Sequence, residues 1–293
     1  MIDWLSYRKI YFTISGTLII IGIFSLLNWK LRLGVDFTGG SVLEYRFERS
    51  ISTEQAVKSL EAEGVGITSV SSIGKDSYMF RFPPIGEEDK TKIANILEEN
   101  FGAIQELRFE KLGPSIGPEL IKKTIYAIVI AASAILLWVA YQFKSIKFGT
   151  SAVLAMFHDT FILIGSFSLL GHFLQAETDY LFVTALLTTL SFSVHDTIVV
   201  YDRIRESQKK FGGNLKDLAN KAITETMVRS LNNSFTIVFM LVALLLLGGT
   251  TIKWFATALF IGTVLGTYSS PFVAVPLLVT WDEVAEKIRA RKR

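Results

Sequence analysis

The chain has 293 residues and no cysteine. That excludes disulfide bridges, thiol nucleophiles and cysteine-based zinc sites, and says little about compartment. Histidine is limited to three positions. Two of them head the doublets His158-Asp159 and His195-Asp196, but there is no HExxH and no third ligand to complete a zinc site, so no metal is expected. No Walker A sequence is present, which removes ATP hydrolysis by that route. The GxGD of intramembrane aspartyl proteases is missing as well, and no short repeat or low-complexity tract breaks the chain. No small-residue cleavage site follows the first apolar run, so Asn28-Trp29-Lys30 reads as an interface anchor closing an uncleaved helix.

What the chain has in excess is apolar side chains. Half of its residues are hydrophobic and the mean hydropathy is +0.41, a membrane composition. A span needs about 20 predominantly apolar residues. Ile10–Leu27, Thr124–Tyr141, Gly149–Gly171, Tyr180–Tyr201, Asn233–Gly248 and Phe255–Val279 meet that requirement. Lys and Arg concentrate in alternate connections, as in Gln142–Phe148, in Asp202–Asn232 and after Trp281. His172–Asp179 has neither. The positive-inside rule then puts both termini in the cytoplasm. The net charge of +3 hides this asymmetry, which topology alone explains.

Residues 30–123 change abruptly to the composition of a soluble domain, and the topology puts them outside. Strand patterns at Ser41–Phe47, Ile67–Ile73, Tyr78–Phe82 and Ile104–Phe109 alternate with helical periods at Thr53–Glu63 and Gly86–Phe101. The order βαββαβ predicts a small ferredoxin-like sandwich. No constellation in it looks catalytic, which favours a binding or mechanical role. The expected organisation is an N-terminal segment and first helix (1–29), the α+β domain (30–123), and a five-helix remainder (124–281). The last carries an amphipathic connection (202–232) lying along the membrane surface, capped at Asn214, and a basic tail (282–293) follows.

The informative polar residues lie inside the spans. An aspartate at mid-bilayer costs roughly 2.5–3.5 kcal/mol on insertion scales, so it is seldom there without a use. His158-Asp159 falls near the middle of the third run and His195-Asp196 in the C-terminal third of the fourth. At about 100° per residue, Thr189, Ser193 and Asp196 share one helix stripe and Thr188, Ser191 and His195 the next. Such a ribbon is expected to face the bundle interior or a watered cavity. For the Ser and Thr residues, interhelical hydrogen bonding is the ordinary fate. An ionised Asp196 needs a counter-charge, and Arg229 is the nearest candidate in sequence; it reads equally well as a snorkelling interface residue. Gly262 and Gly266 form a GxxxG, a weak mark of close helix contact, and Pro271 and Pro276 would loosen the helix beyond it.

Four stretches, GVDFTGGS (Gly34–Ser41), GPSIGPEL (Gly113–Leu120), SVHDTIVVYDRIRE (Ser193–Glu206) and RSLNNSFT (Arg229–Thr236), resemble the signature of the SecF family, within the RND superfamily of proton-driven transporters. The resemblance covers essentially the whole chain, in order. It implies a six-helix RND-like bundle in the bacterial inner membrane, working with SecD beside the SecYEG channel, with YajC as a further partner and a translocating preprotein as substrate. Membrane lipid surrounds it and nucleic acid has no part. It implies that Asp196 is the membrane aspartate linked to proton conduction and that Arg229 is the functional arginine. His158-Asp159 fits the family pattern with an auxiliary role left open, and many members carry Asn at the position of His195. Gly34, Asp36, Gly39, Gly40, Gly113, Pro114 and Gly117 belong to the two motifs flanking the α+β domain, whose glycines are expected to shape the passage between membrane and domain. No cofactor is implied beyond a coupling ion, proton or sodium. The function expected is an accessory export subunit driven by the proton motive force. Half of an RND-type solute exporter and a pure scaffold are the rivals.

Overall fold

The computed structural model describes residues 2–112, 116–249 and 252–291. They divide into two compact units, one of Arg32–Ile125 with Leu170–Tyr180, the other of the remaining residues. Gly113 and Pro114 lie outside the described residues.

The first unit is built on the expected sandwich. The chain enters through a one-turn helix, Val35–Thr38, and runs into β1 (Gly40–Phe47). A first helix (Thr53–Ala62), β2 (Ser69–Ser72), β3 (Ser77–Phe82), a second helix (Glu87–Phe101) and β4 (Ile104–Leu112) follow. The sheet is antiparallel with order β2-β3-β1-β4. Ser52 caps the first helix, its Oγ accepting the Gln55 N–H. Leu43, Tyr45, Phe47, Phe80 and Phe82 from the sheet bury against Ala56, Leu60, Ile93 and Leu97 from the helices. The strands alternate and the helices repeat every three to four residues for this reason.

This unit also takes in Leu170–Tyr180, which the sequence reading treats as a bare loop between spans. Backbone bonds explain it. Gly34 N–H donates to Thr178 O at 2.8 Å, Thr178 N–H donates to Arg32 O at 2.9 Å, and Leu33 bridges Thr178 in parallel. Glu177 is held by Arg81 and faces Arg32 at 3.6 Å. The GVDFTGGS residues therefore do structural work at defined atoms. Gly34 is extended, and a Cβ there would stand 3.2 Å from Asp179 Cβ. Gly39 and Gly40 have φ of +69° and +112°, which side chains other than glycine rarely adopt. Asp36 Oδ2 accepts the N–H of Tyr180 at 2.7 Å, capping a long helix that starts there. Gly117 departs from expectation: it sits in the first turn of a helix rather than in a turn of the connection.

The second unit holds the long helices, numbered here in chain order as α1 (Arg8–Trp29), α2 (Ile116–Phe143), α3 (Ile146–Leu174), α4 (Tyr180–Phe211), α5 (Leu215–Leu247), α6 (Lys253–Ser269) and α7 (Val275–Arg291). Ser270–Ala274 forms a π turn that joins α6 to α7 as one 39-residue span, so among the described residues six helical rods are long and apolar enough to cross a membrane. This is a multi-pass membrane protein. Pro271, which has no N–H to give, falls in that π turn. Within the apolar 18-residue stretch of each, more than half of the residues of α3, of α4 and of the α6–α7 rod are buried, against under a fifth for the other three. The core of the bundle is therefore the set that carries the polar residues.

Two expectations about the bundle change. The connection 202–232 is not a separate surface element. α4 runs on to Phe211, Gly212-Gly213-Asn214 turn the chain, and α5 continues without a break into its apolar half. Asn214 does cap it, accepting the Lys216 N–H at 2.9 Å. The apolar face of that segment, Leu218, Ala219, Ala222 and Ile223, is buried against the 3₁₀ turn Trp4–Tyr7 and against α7 rather than laid on lipid. Leu5 N–H and Trp4 Nε1 bond Asn220 and Thr224 there. The tail from Asp282 to Arg291 likewise continues α7, with Asp282 on Lys147 and Glu283 on Arg8.

Candidate functional site

The polar centre forms where α3, α4 and α6 meet. α4 presents Thr189, Ser193, Thr197 and Tyr201 at four-residue intervals, one face of a helix. The α6–α7 rod answers with Gly262, Gly266, Ser270 and Ala274 at the same interval. A Cβ on Gly262 would come within 2.1 Å of Thr189 Cγ2, and one on Gly266 within 3.1 Å of Ser193 Cα. The weak GxxxG thus marks a real contact, in which missing side chains let the two backbones close. Ser270 Oγ donates to Ser193 O at 3.1 Å and lies 2.9 Å from Thr197 Oγ1. Tyr201 donates to Ala274 O at 3.2 Å and bonds Ser151 of α3 at 2.7 Å.

Asp159 of α3 is enclosed by this ladder and is 5% exposed. Ser193 Oγ and Ser269 Oγ each donate to its Oδ2 at 2.6 Å, and His158 Nδ1 lies 2.8 Å from its Oδ1. Three helices are tied through one carboxylate. Hydrogen bonds to a charged group contribute about 1.5–3 kcal/mol each, more than neutral ones. The other imidazole nitrogen, His158 Nε2, is buried and has no partner among the described residues.

Asp196 lies three residues beyond Ser193 on α4, about 4.5 Å further along the axis. It is 3% exposed, yet its Oδ2 has no hydrogen-bond partner among the described residues. Its Oδ1 stands 3.8 Å from His195 Nδ1, too far for a hydrogen bond. Arg229 of α5 is exposed and makes no ion pair with Asp196; it reaches the carboxylate only as a longer-range charge. The resting structure therefore brings Asp159 together with His158, and leaves Asp196 and Arg229 apart.

The two stripes read along α4 also separate. Thr189, Ser193 and Asp196 are buried, whereas Thr188, Ser191 and His195 are exposed, His195 with a side chain 68% open. The second stripe thus departs from the expected interior position within this chain. In sequence Ser269 and Ser270 stand out only as small residues following the GxxxG, and Thr197 does not stand out as a site residue. Their signal was present in the spacing: Thr197 continues the Ser193 stripe by one turn, and Ser270 continues the Gly262-Gly266 stripe.

Away from the bundle, the α+β unit pairs its own charges. Burial pushes the Glu44 carboxyl up from the usual carboxylate range, against the pull of Arg108 at 3.3 Å. Arg108 also binds Glu110 at 2.7 Å.

Comparison with known proteins places these features in context. The family model described as protein export membrane protein SecD/SecF, C-terminal, matches residues 92–284, and that of the SecD/SecF GG motif matches residues 24–51. The chain is 41% identical to protein translocase subunit SecF of Thermobaculum terrenum, covering 96% of this chain and 94% of that one. It is 31% identical to protein translocase subunit SecDF of Bacillus subtilis over 95% of its own length and 38% of that protein. The crystal structure of SecDF from Thermus thermophilus, a translocon-associated membrane protein, superposes with a TM-score of 0.85 at 30% identity. The match covers 96% of this chain and 39% of that longer one.

Proposed function

This chain belongs to the SecD/SecF family of protein export membrane proteins, and from that premise we propose how its polar centre serves export. The chain is an accessory subunit of Sec protein export and a transport component, with SecD as its partner. In our reading it stands in the bacterial inner membrane with both termini cytoplasmic and the α+β unit outside. SecYEG, YajC and an emerging preprotein are its further contacts.

Asp196 carries the coupling ion, a proton or sodium. The observation behind this is the buried Asp196 Oδ2 with no partner. An unpaired carboxylate oxygen in a low-dielectric interior is costly, and a structure that keeps one holds it for a ligand or a change of state. Charged, Asp196 attracts Arg229; neutralised, it loses that attraction. An approach and withdrawal of α5 relative to α4 would follow. A gradient supplies about 2.3 kcal/mol per charge for each 100 mV, enough to bias two helix packings of similar energy. The same helix that carries Asp196 starts at Tyr180, whose N–H is capped by Asp36. Movement of α4 would therefore reach the segment that Gly34 and Asp36 hold, and would tilt the unit that hinders backsliding of the preprotein.

The test is gradient-driven completion of export in inverted vesicles holding the full complex, after ATP-driven steps have ended. Asp196→Asn is expected to lower it by about 100-fold or more while the subunits still assemble. Retained activity would overturn the reading and leave a scaffold. Selective collapse of the proton or the sodium gradient distinguishes the two ions.

A further inference from the structure

We propose that His158 is a second proton-carrying station of the bundle and that Asp159 is its positioning residue; this rests on the proton-coupled reading above. Three observations meet at this site. Asp159 accepts hydroxyl protons from Ser193 and Ser269 at Oδ2, so its remaining oxygen, Oδ1, is the one turned to His158. A carboxylate acting as acceptor at both oxygens requires a donor at the nitrogen facing it. His158 therefore carries its hydrogen on Nδ1, and the lone pair on Nε2. That Nε2 is buried with no partner among the described residues. A bare imidazole lone pair inside a membrane bundle is a group prepared to accept a proton.

The step balances simply. The Nε2 lone pair takes up a proton, the ring becomes an imidazolium, and its charge is compensated by Asp159 through the Nδ1–H bond already formed. The same proton leaves from Nε2, and Asp159 need never be protonated. The arrangement is that of a carboxylate holding one tautomer of a histidine so that the opposite nitrogen does the transfer. Of the ionisable groups, Asp159 lies on His158's own helix, and Asp196 lies one turn beyond Ser193 on α4 with His195 beside it and Arg229 of α5 as a longer-range charge; Ser269 of α6 and Ser270 of the π turn add hydroxyls. Asp196 is three residues from Ser193, so both stations adjoin one helical turn of α4. The arrangement gives the chain two proton sites, one open to Arg229's influence and one locked into the ladder.

Two measurements decide it. Nitrogen NMR of the wild-type complex, with imidazole nitrogens labelled, is expected to show neutral His158 protonated at Nδ1; a neutral Nε2–H form would overturn the assignment. His158→Gln retains a donor for Asp159 but cannot carry a proton. It is expected to lower gradient-driven export in vesicles by about tenfold or more and to change its pH profile. Thr188→Ala, on the exposed stripe of α4, is expected to leave the rate and the shape of the profile unchanged. A wild-type rate and profile for His158→Gln would sink the proposal. If Asp196→Asn abolishes coupling and His158→Gln does not, the second station alone is wrong. If neither variant has an effect, the proton-coupled reading fails with it.

Discussion

Around Asp159, donors from α3, α4 and α6 close on both carboxylate oxygens. Around Asp196, one turn further along α4, an exposed imidazole stands 3.8 Å away, beyond hydrogen-bond reach. The two carboxylates are similarly buried, at 5% and 3% exposure, so burial does not distinguish them. What differs is the number of hydrogens each receives. A satisfied buried carboxylate ties helices together; an unsatisfied one raises the energy of the state that contains it and so can favour change. The family resemblance gave the proton role to Asp196 with Arg229 and left that of Asp159 open, and Asp159 emerges as the structural counterpart that keeps its surroundings fixed.

The widest separation between the two should appear in stability. Asp159→Asn replaces an acceptor at the centre of three helices and is expected to destabilise the protein by about 1.5–3 kcal/mol. Asp196→Asn removes a charge with an unpaired oxygen and is expected to be neutral or stabilising by up to a similar amount. Thermal unfolding of the two variants in the same detergent measures both; equal losses would erase the distinction. A smaller effect sharpens it on the donor side. Ser269→Ala should cost about 0.6–1.7 kcal/mol, the range for hydrogen bonds between membrane helices. Thr188→Ala, on the exposed stripe of α4, should stay within about 0.5 kcal/mol. If the two alanine variants match, the buried ladder carries no special weight.

The smallest predicted effect contrasts the bundle with the α+β unit. Burial raises the Glu44 carboxyl above its ordinary range, Arg108 only partly opposing it. The folded unit then binds that proton more readily than the unfolded chain does. Its contribution to stability is present at low pH and is lost as pH rises through the raised value. Glu44→Gln should flatten this dependence on the high-pH side of the ordinary carboxylate range. Amide exchange protection in β1, corrected for the intrinsic rate at each pH, reports it. An unchanged slope would show that Arg108 compensates the burial fully.

Legibility in the sequence followed the range of the interactions. The six apolar runs, the βαββαβ order, the Asn214 cap and the buried stripe Thr189-Ser193-Asp196 all rest on neighbours within one or two turns or strands. The misreadings rest on distant ones. Whether residues 202–232 lay on lipid depended on Leu5 and α7, more than forty residues away in either direction. Their apolar face is real, but protein covers it. His195 shares a helix with Asp196 and differs from it in exposure because the ladder to α6 fixes which side of α4 turns inward.

Composition and periodicity alone determined that this is a six-span membrane protein with one inserted α+β unit, because water and hydrocarbon sort side chains locally along each helix and strand. They also determined that aspartates stand inside the spans. Only tertiary structure decided that Asp159 would be saturated and Asp196 left short of partners. Ser193 and Ser269 lie 34 and 110 residues from Asp159, and hydrogen bonds form between groups that packing brings within about 3 Å, whatever their separation along the chain.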